Sequence, residues 1–125
     1  MSLLHAHLVF VTKYRRKLFT GEMLTFAEHT MRDVCIELDV ELVEFNGETD
    51  HVHLLVAYPP TLAISVLAQR LKGRTAYAVR REFTRICVRS RMRGHLWSPS
   101  YFAVSCGGAP LSIIKQYIDG QARPL

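Results

Sequence analysis

Val40-Glu41-Leu42-Val43-Glu44-Phe45-Asn46-Gly47-Glu48-Thr49-Asp50-His51-Val52-His53-Leu54-Leu55-Val56-Ala57-Tyr58 is the stretch on which the reading of the chain turns. It holds two strand-like runs, Val40 to Phe45 and His51 to Tyr58, separated by a polar segment that opens with Asn46-Gly47, a pair favoured in hairpin turns. Two antiparallel neighbouring strands are expected. In the second strand a period of two sends Val52, Leu54 and Val56 to one face and His51 and His53 to the other. If the aliphatic side meets helices, both imidazoles stand together on an open face, within reach of a metal or a substrate.

Upstream, Leu8-Val9-Phe10-Val11 reads as a first strand, and Thr12-Lys13-Tyr14-Arg15-Arg16-Lys17 as its basic exit loop. Leu24, Ala27, Met31, Val34 and Leu38 recur at steps of three and four, which predicts an amphipathic helix over Glu22 to Leu38 with Thr20 or Gly21 as its cap. Downstream, Pro59-Pro60 ends the histidine strand, Thr61 is a candidate cap, and Ile64, Leu67, Ala68, Leu71 and Val79 mark a second helix. Thr84 to Ser100 is basic and weakly periodic, so it reads as loop before a short strand at Tyr101 to Ser105. Gly107-Gly108 breaks the backbone, Pro110 suits a first helical position, and Leu111, Ile114, Tyr117, Ile118 and Gln121 share one face of a last helix.

Without that last helix, the order is the split βαβ pattern of an α+β, ferredoxin-like sandwich: a four-stranded antiparallel sheet with two helices on one face. No repeat, low-complexity tract or linker divides the sequence, so residues 1–125 are expected to form one domain.

A hydrophobic fraction of 49% with 22% charged residues is a globular composition. The formal net charge of +5 is unevenly spread: nine acids and one basic residue lie between Thr20 and Asp50, against nine basic residues and one acid between Arg70 and Arg93. A concentrated basic surface favours polyanions through counterion release, although a solvated helix face would give the same counts. No apolar run approaches the roughly 20 residues that span a bilayer and no signal-peptide layout opens the chain, so a cytoplasmic location without membrane partners is expected. Cys35, Cys87 and Cys106 are odd in number and share no CxxC spacing. They read as reduced, mostly buried thiols, not as a disulfide framework or a thiolate zinc site.

The chemistry-bearing residues remain ambiguous on spacing alone. His5-Ala6-His7 repeats the His-x-His pattern, so on spacing alone His51 and His53 read as metal ligands or, more commonly for such a pair, as hydrogen-bonded surface or strand histidines. Tyr117 and Gln121 lie four residues apart on one helix face, where a tyrosine beside Ile114 and Ile118 can be packing or nucleophile.

Several motifs in order narrow the choice: Val9-Phe10-Val11-Thr12-Lys13-Tyr14-Arg15-Arg16, Asp50-His51-Val52-His53-Leu54-Leu55-Val56, Leu71-Lys72-Gly73, Leu96-Trp97-Ser98-Pro99-Ser100-Tyr101 and Lys115-Gln116-Tyr117-Ile118-Asp119-Gly120-Gln121. Over nearly its whole length the chain resembles the single-tyrosine HUH transposases of the smallest bacterial insertion sequences. The resemblance implies that His51, His53 and Gln121 hold magnesium or manganese and that Tyr117 attacks a single-stranded DNA phosphate through a 5′-phosphotyrosine intermediate, with no nucleotide cofactor. It also implies DNA hairpins at transposon ends as substrate, and a homodimer in which Tyr117 acts in trans, with Gly107-Gly108 as a hinge or an ordinary turn.

DNA contacts would then fall on Lys13, Arg15, Arg16, Lys72, Arg74 and Arg80 for phosphates and on Tyr14 or Trp97 for bases, Trp97 being a candidate core residue as well. Gly120 departs from a firm helix between nucleophile and ligand. The alternative is a non-catalytic single-stranded nucleic-acid-binding module that keeps the sheet and basic patch and makes no use of Tyr117. A histidine-triad hydrolase is disfavoured by Leu55 where a third histidine would stand, and a replication initiator by Gly120 in place of a lysine.

Overall fold

A computed structural model of the chain describes residues 3–90 and 95–105. The expected last helix with Tyr117 and Gln121, the pair Gly107-Gly108 and Cys106 lie outside the described residues. Among these the order is β1 (Leu4–Val11), α1 (Gly21–Glu37), β2 (Glu41–Gly47), β3 (His51–Tyr58), α2 (Ile64–Glu82), α3 (Thr84–Arg89) and β4 (Phe102–Ser105). The sheet runs β2-β3-β1-β4 with every neighbour antiparallel, the ferredoxin-like arrangement expected from the sequence. β1 and β3 are the central pair, with Leu8 opposite Leu54 and Val11 opposite His51.

The helices form where sequence and packing agree. Thr20 caps α1 by accepting the Met23 N–H at 3.2 Å. The helix ends on Asp39 in the left-handed region (φ 57°), and the Val40 N–H turns back to the Cys35 carbonyl at 2.8 Å. Met23, Leu24 and Ala27 of α1 and Leu67, Ala68 and Leu71 of α2 join one core with Leu8, Phe10, Val52 and Leu54, so both helices cover the same sheet face. Cys35 and Cys87 are buried free thiols, and burial pushes Cys35 up to about 11 against the pull of Arg32. No described helix is long and apolar enough to cross a membrane.

Four local expectations are corrected. The hairpin does not turn at Asn46-Gly47, which stay in β2; it turns over Glu48 to Asp50, closed by the Glu48 N–H on the His51 carbonyl at 2.9 Å. Gly47 serves close approach instead, since a Cβ there would lie 2.8 Å from Leu24 Cδ2 and 3.0 Å from the His51 carbonyl oxygen. Thr61 does not cap α2, which starts after Ala63 with no side-chain cap. The stretch read as loop contains α3, held by buried Cys87 and by Phe83, whose ring meets Phe26 edge-on at 5.5 Å; this inward pattern is too short to show among the arginines. β1 begins at Leu4, so His5-Ala6-His7 belongs to a central strand and Ala6 enters the core between its histidines.

The stretch after α3 is tied back to β1. Lys13 N–H bonds the Leu96 carbonyl at 3.0 Å and Ser98 N–H the Val11 carbonyl at 2.8 Å, with Trp97 buried against Phe10 and Phe19. Trp97 is therefore core, not a base-stacking surface.

Candidate metal centre on the reverse face of the sheet

Strand alternation decides which side chains reach the face away from the helices. Register places Val9 opposite His53 and His7 opposite Leu55, so His7, His51, His53 and Leu55 all project from that face. The face is not open at its centre, as the sequence suggested: His7 and His53 are each 8% exposed and Leu55 is fully buried. The His51 and His53 rings meet edge to face, 4.7 Å between centroids and 78° between planes.

His51 is fixed by its own neighbour. Its Nδ1 lies 2.6 Å from Asp50 Oδ1, and because a carboxylate only accepts, Nδ1 carries a hydrogen, which in the neutral ring leaves the lone pair on Nε2. Nε2 faces the Glu48 carboxylate at 3.7 Å. Asp50 is anchored in turn, its carbonyl accepting the Thr12 N–H at 2.8 Å and its side chain pairing with Arg15 Nε at 3.6 Å. Partial burial works against the Asp50 charge, but the His51 hydrogen bond and the fields of His51 and Arg15 outweigh it and hold the carboxyl below its usual range.

His53 sits deeper. Its Nδ1 is 3.4 Å from His7 Nε2, while its own Nε2 is buried with no hydrogen-bond partner among the described residues. Burial first, then the fields of His51 and His7, bring His53 down from 6.5 to about 4, and burial lowers His7 as well. His53 is thus a neutral imidazole near pH 7, the form that ligates a metal.

The residues fit a divalent cation. A buried ring nitrogen without a partner costs roughly 1–3 kcal/mol, a cost that coordination removes. The donor atoms of Glu48, Asp50 and His51 all lie within 4.8 Å of one another, so two carboxylates stand beside the His51 ring, the Asp50 one already engaged by His51 Nδ1. Imidazole nitrogen beside carboxylate oxygen is a set that manganese accepts well and magnesium tolerates.

The expected DNA-contacting residues fall into two groups. Lys13, Tyr14 and Arg15 form a 3-10 turn next to Asp50, with Tyr14 and Arg15 at positive φ (59° and 52°) and Tyr14 77% exposed. Lys13 Nζ and Arg16 Cζ lie 5.3 and 5.9 Å from the Tyr14 ring centroid. Lys72, Arg74 and Arg80 sit on α2, in the helical layer. Lys72 Nζ donates to the Ser98 and Ser100 carbonyls at 2.7 and 3.3 Å, and burial lowers its affinity for a proton. Arg74 pairs through both terminal nitrogens with Glu37 at 2.9 Å. Glu48 and Asp50 were not singled out from the sequence, and His7 entered only as half of a second His-x-His pair; an acid just before the first strand histidine was the visible signal for Asp50.

The chain matches the family described as IS200-like transposases over residues 1–121, and it belongs to that family. It is 29% identical over 118 residues to the ISDra2 transposase TnpA of Deinococcus radiodurans, covering 94% of this chain and 84% of that protein. It is 30% identical over 115 residues to the transposase for insertion sequence element IS200 of Salmonella typhimurium, covering 92% and 74%. A Deinococcus radiodurans crystal structure assigned as a transposase superposes with a TM-score of 0.76 at 28% identity, over 98% of this chain and 94% of that one. A REP-associated tyrosine transposase bound to a REP hairpin shares the fold at a TM-score of 0.67 and 12% identity, over 95% of this chain and 64% of that one. Membership makes this a transposase-class protein that acts on DNA.

Proposed function

We propose that the chain, as a single domain over residues 1–125, cleaves and rejoins single-stranded DNA at insertion-sequence ends. The observation that carries this reading is the adjacent pair His51 and His53, the first pinned by Asp50 and the second holding a buried, unpartnered Nε2. These two nitrogens, with Gln121 as third ligand, would hold magnesium or manganese. A divalent ion bound there supplies electrophilic polarisation of the scissile phosphate.

Tyr117 is the proposed nucleophile. Its Oη gives up its proton and bonds to phosphorus as the phosphorus–O3′ bond breaks, leaving a 5′-phosphotyrosyl enzyme and a 3′-oxygen that takes up a proton. Attack by another 3′-hydroxyl reverses the linkage and releases Tyr117, so the phosphodiester bond is conserved and no nucleotide cofactor is needed. The turn Lys13-Tyr14-Arg15-Arg16, beside Asp50, would meet phosphate and an unpaired base, while Lys72, Arg74 and Arg80 would contact DNA only from the helical side. The proposed substrate is an imperfect DNA hairpin, the proposed assembly a homodimer with Tyr117 in trans, and the proposed location the cytoplasm.

The test is cleavage of end-labelled, single-stranded transposon-end DNA with manganese or magnesium. Wild type should form a covalent protein–DNA adduct that Tyr117→Phe does not. Tight binding without an adduct in wild type would instead establish a non-catalytic single-stranded DNA-binding module.

A further inference from the structure

We infer that His7 is a positioning residue for His53, accepting the His53 Nδ1 hydrogen at its own Nε2 and thereby presenting the His53 Nε2 lone pair to the metal. The inference rests on the metal role proposed for His53. It gives the second His-x-His pair a task distinct from ligation.

Three observations support it. The register sets His7 two residues along the strand from Val9, the residue facing His53, and so on the same face, where side chains reach each other diagonally. The two rings are within 17° of parallel with centroids 5.5 Å apart and nitrogens 3.4 Å apart. Rings whose centres are that much farther apart than their nearest nitrogens lie edge to edge, so an N–H on one points at a lone pair on the other. Both residues are 8% exposed, so water competes poorly for that bond.

The direction of the bond follows from what each choice leaves behind. If His7 donated, His53 would carry its hydrogen on Nε2, a buried N–H with no acceptor among the described residues. If His53 donates, Nε2 keeps only an unpaired lone pair. Orphaned buried N–H groups are the rarer and costlier defect, so His53 is the donor. His51 and His53 are then held alike through Nδ1, by Asp50 and by His7, and both offer Nε2.

The test uses the full-length chain and manganese alone. Long-range ¹H–¹⁵N spectra of the metal-free protein report the His53 tautomer, and electron paramagnetic resonance reports Mn²⁺ binding. Wild type should show His53 protonated on Nδ1. His7→Gln, whose amide oxygen can accept the same hydrogen, should keep that tautomer and near wild-type Mn²⁺ affinity. His7→Leu fills the space without an acceptor and should mix the tautomers and weaken Mn²⁺ about 10- to 100-fold. An Nε2-protonated His53 in wild type, or wild-type Mn²⁺ affinity in His7→Leu, overturns the inference; should His7→Leu not fold, the wild-type spectrum and His7→Gln decide alone. Wild type that binds no Mn²⁺ while His53 is protonated on Nδ1 overturns the metal reading, and the inference with it, by a separate and recognisable route.

Discussion

The two faces of the central strands are built from alternate residues of the same segments, one buried against the helices and the other buried at His7, His53, Leu55 and Ala57 but only partly at its ends, and they do opposite things. Leu8 and Leu54 are fully buried against the helices, while His7 and His53, one residue away along each strand, are 8% exposed on the reverse side. Burying a large aliphatic side chain stabilises the fold by about 1.5–3 kcal/mol. Burying an imidazole does so only if both nitrogens are satisfied, and His53 Nε2 has no partner among the described residues. One face therefore holds the fold together, and the other leaves a buried nitrogen unsatisfied where the proposed metal would sit. Because the strand period is two, neither face can shift without the other.

The sharpest way to break this comparison is to change neighbouring residues on opposite faces. His53→Leu should lower metal-dependent cleavage by about a thousandfold or more, the several kcal/mol that a metal supplies to such a step, and leave the thermal midpoint unchanged or raised. Leu54→Ala should do the reverse, costing about 2–5 kcal/mol of stability with activity retained in the folded fraction. Cleavage rates and thermal melts of the two variants check this together, and an unfolded His53→Leu would erase the distinction between the faces.

A smaller effect sharpens it. Asp50→Asn keeps the shape of the turn but weakens the acceptor for His51 Nδ1–H, and should lower Mn²⁺ affinity about 10- to 100-fold with little change in melting. Equal affinity in the two proteins would show that His51 needs no such anchor.

The smallest effect is on pH dependence. With His53 held at about 4 against an unfolded value near 6.5, the native protein refuses a proton that the unfolded chain accepts. Stability of the metal-free protein should therefore be full above about pH 6.5 and fall as pH drops towards 4, with a limiting slope of about 1.4 kcal/mol per pH unit for one proton. The lowered His7 adds in the same direction, whereas Asp50, a carboxylate held low, loses its contribution only in more acid solution. Urea midpoints between pH 7 and 4.5 check the slope, which should shrink in His53→Leu.

The sheet, both long helices and the shared face of His51 and His53 were legible in the sequence, because they rest on periodicity that continues over many residues. What escaped was decided by contacts between distant segments. Asn46-Gly47 has turn chemistry, but the close approach of Leu24 and the bonds from Leu18 and Phe19 to the Thr49 carbonyl, both 2.8 Å, move the turn onward. α3 is a single short helix whose arginines hide its inward residues. At the site, Asp50 was visible as an acid next to a histidine, whereas the pairing of His7 with His53 depends on strand register across 46 positions. Lys72 was readable as a cation but not as the clasp on Ser98 and Ser100.

The most direct test of the central claim, that the reverse face carries the metal centre, is a Mn²⁺ titration followed by electron paramagnetic resonance on wild type, His51→Ala, His53→Ala and His5→Ala. One bound ion should be found in wild type and His5→Ala and lost in the His51 and His53 variants. Mn²⁺ binding that survives both of those substitutions would place the metal elsewhere and contradict the account.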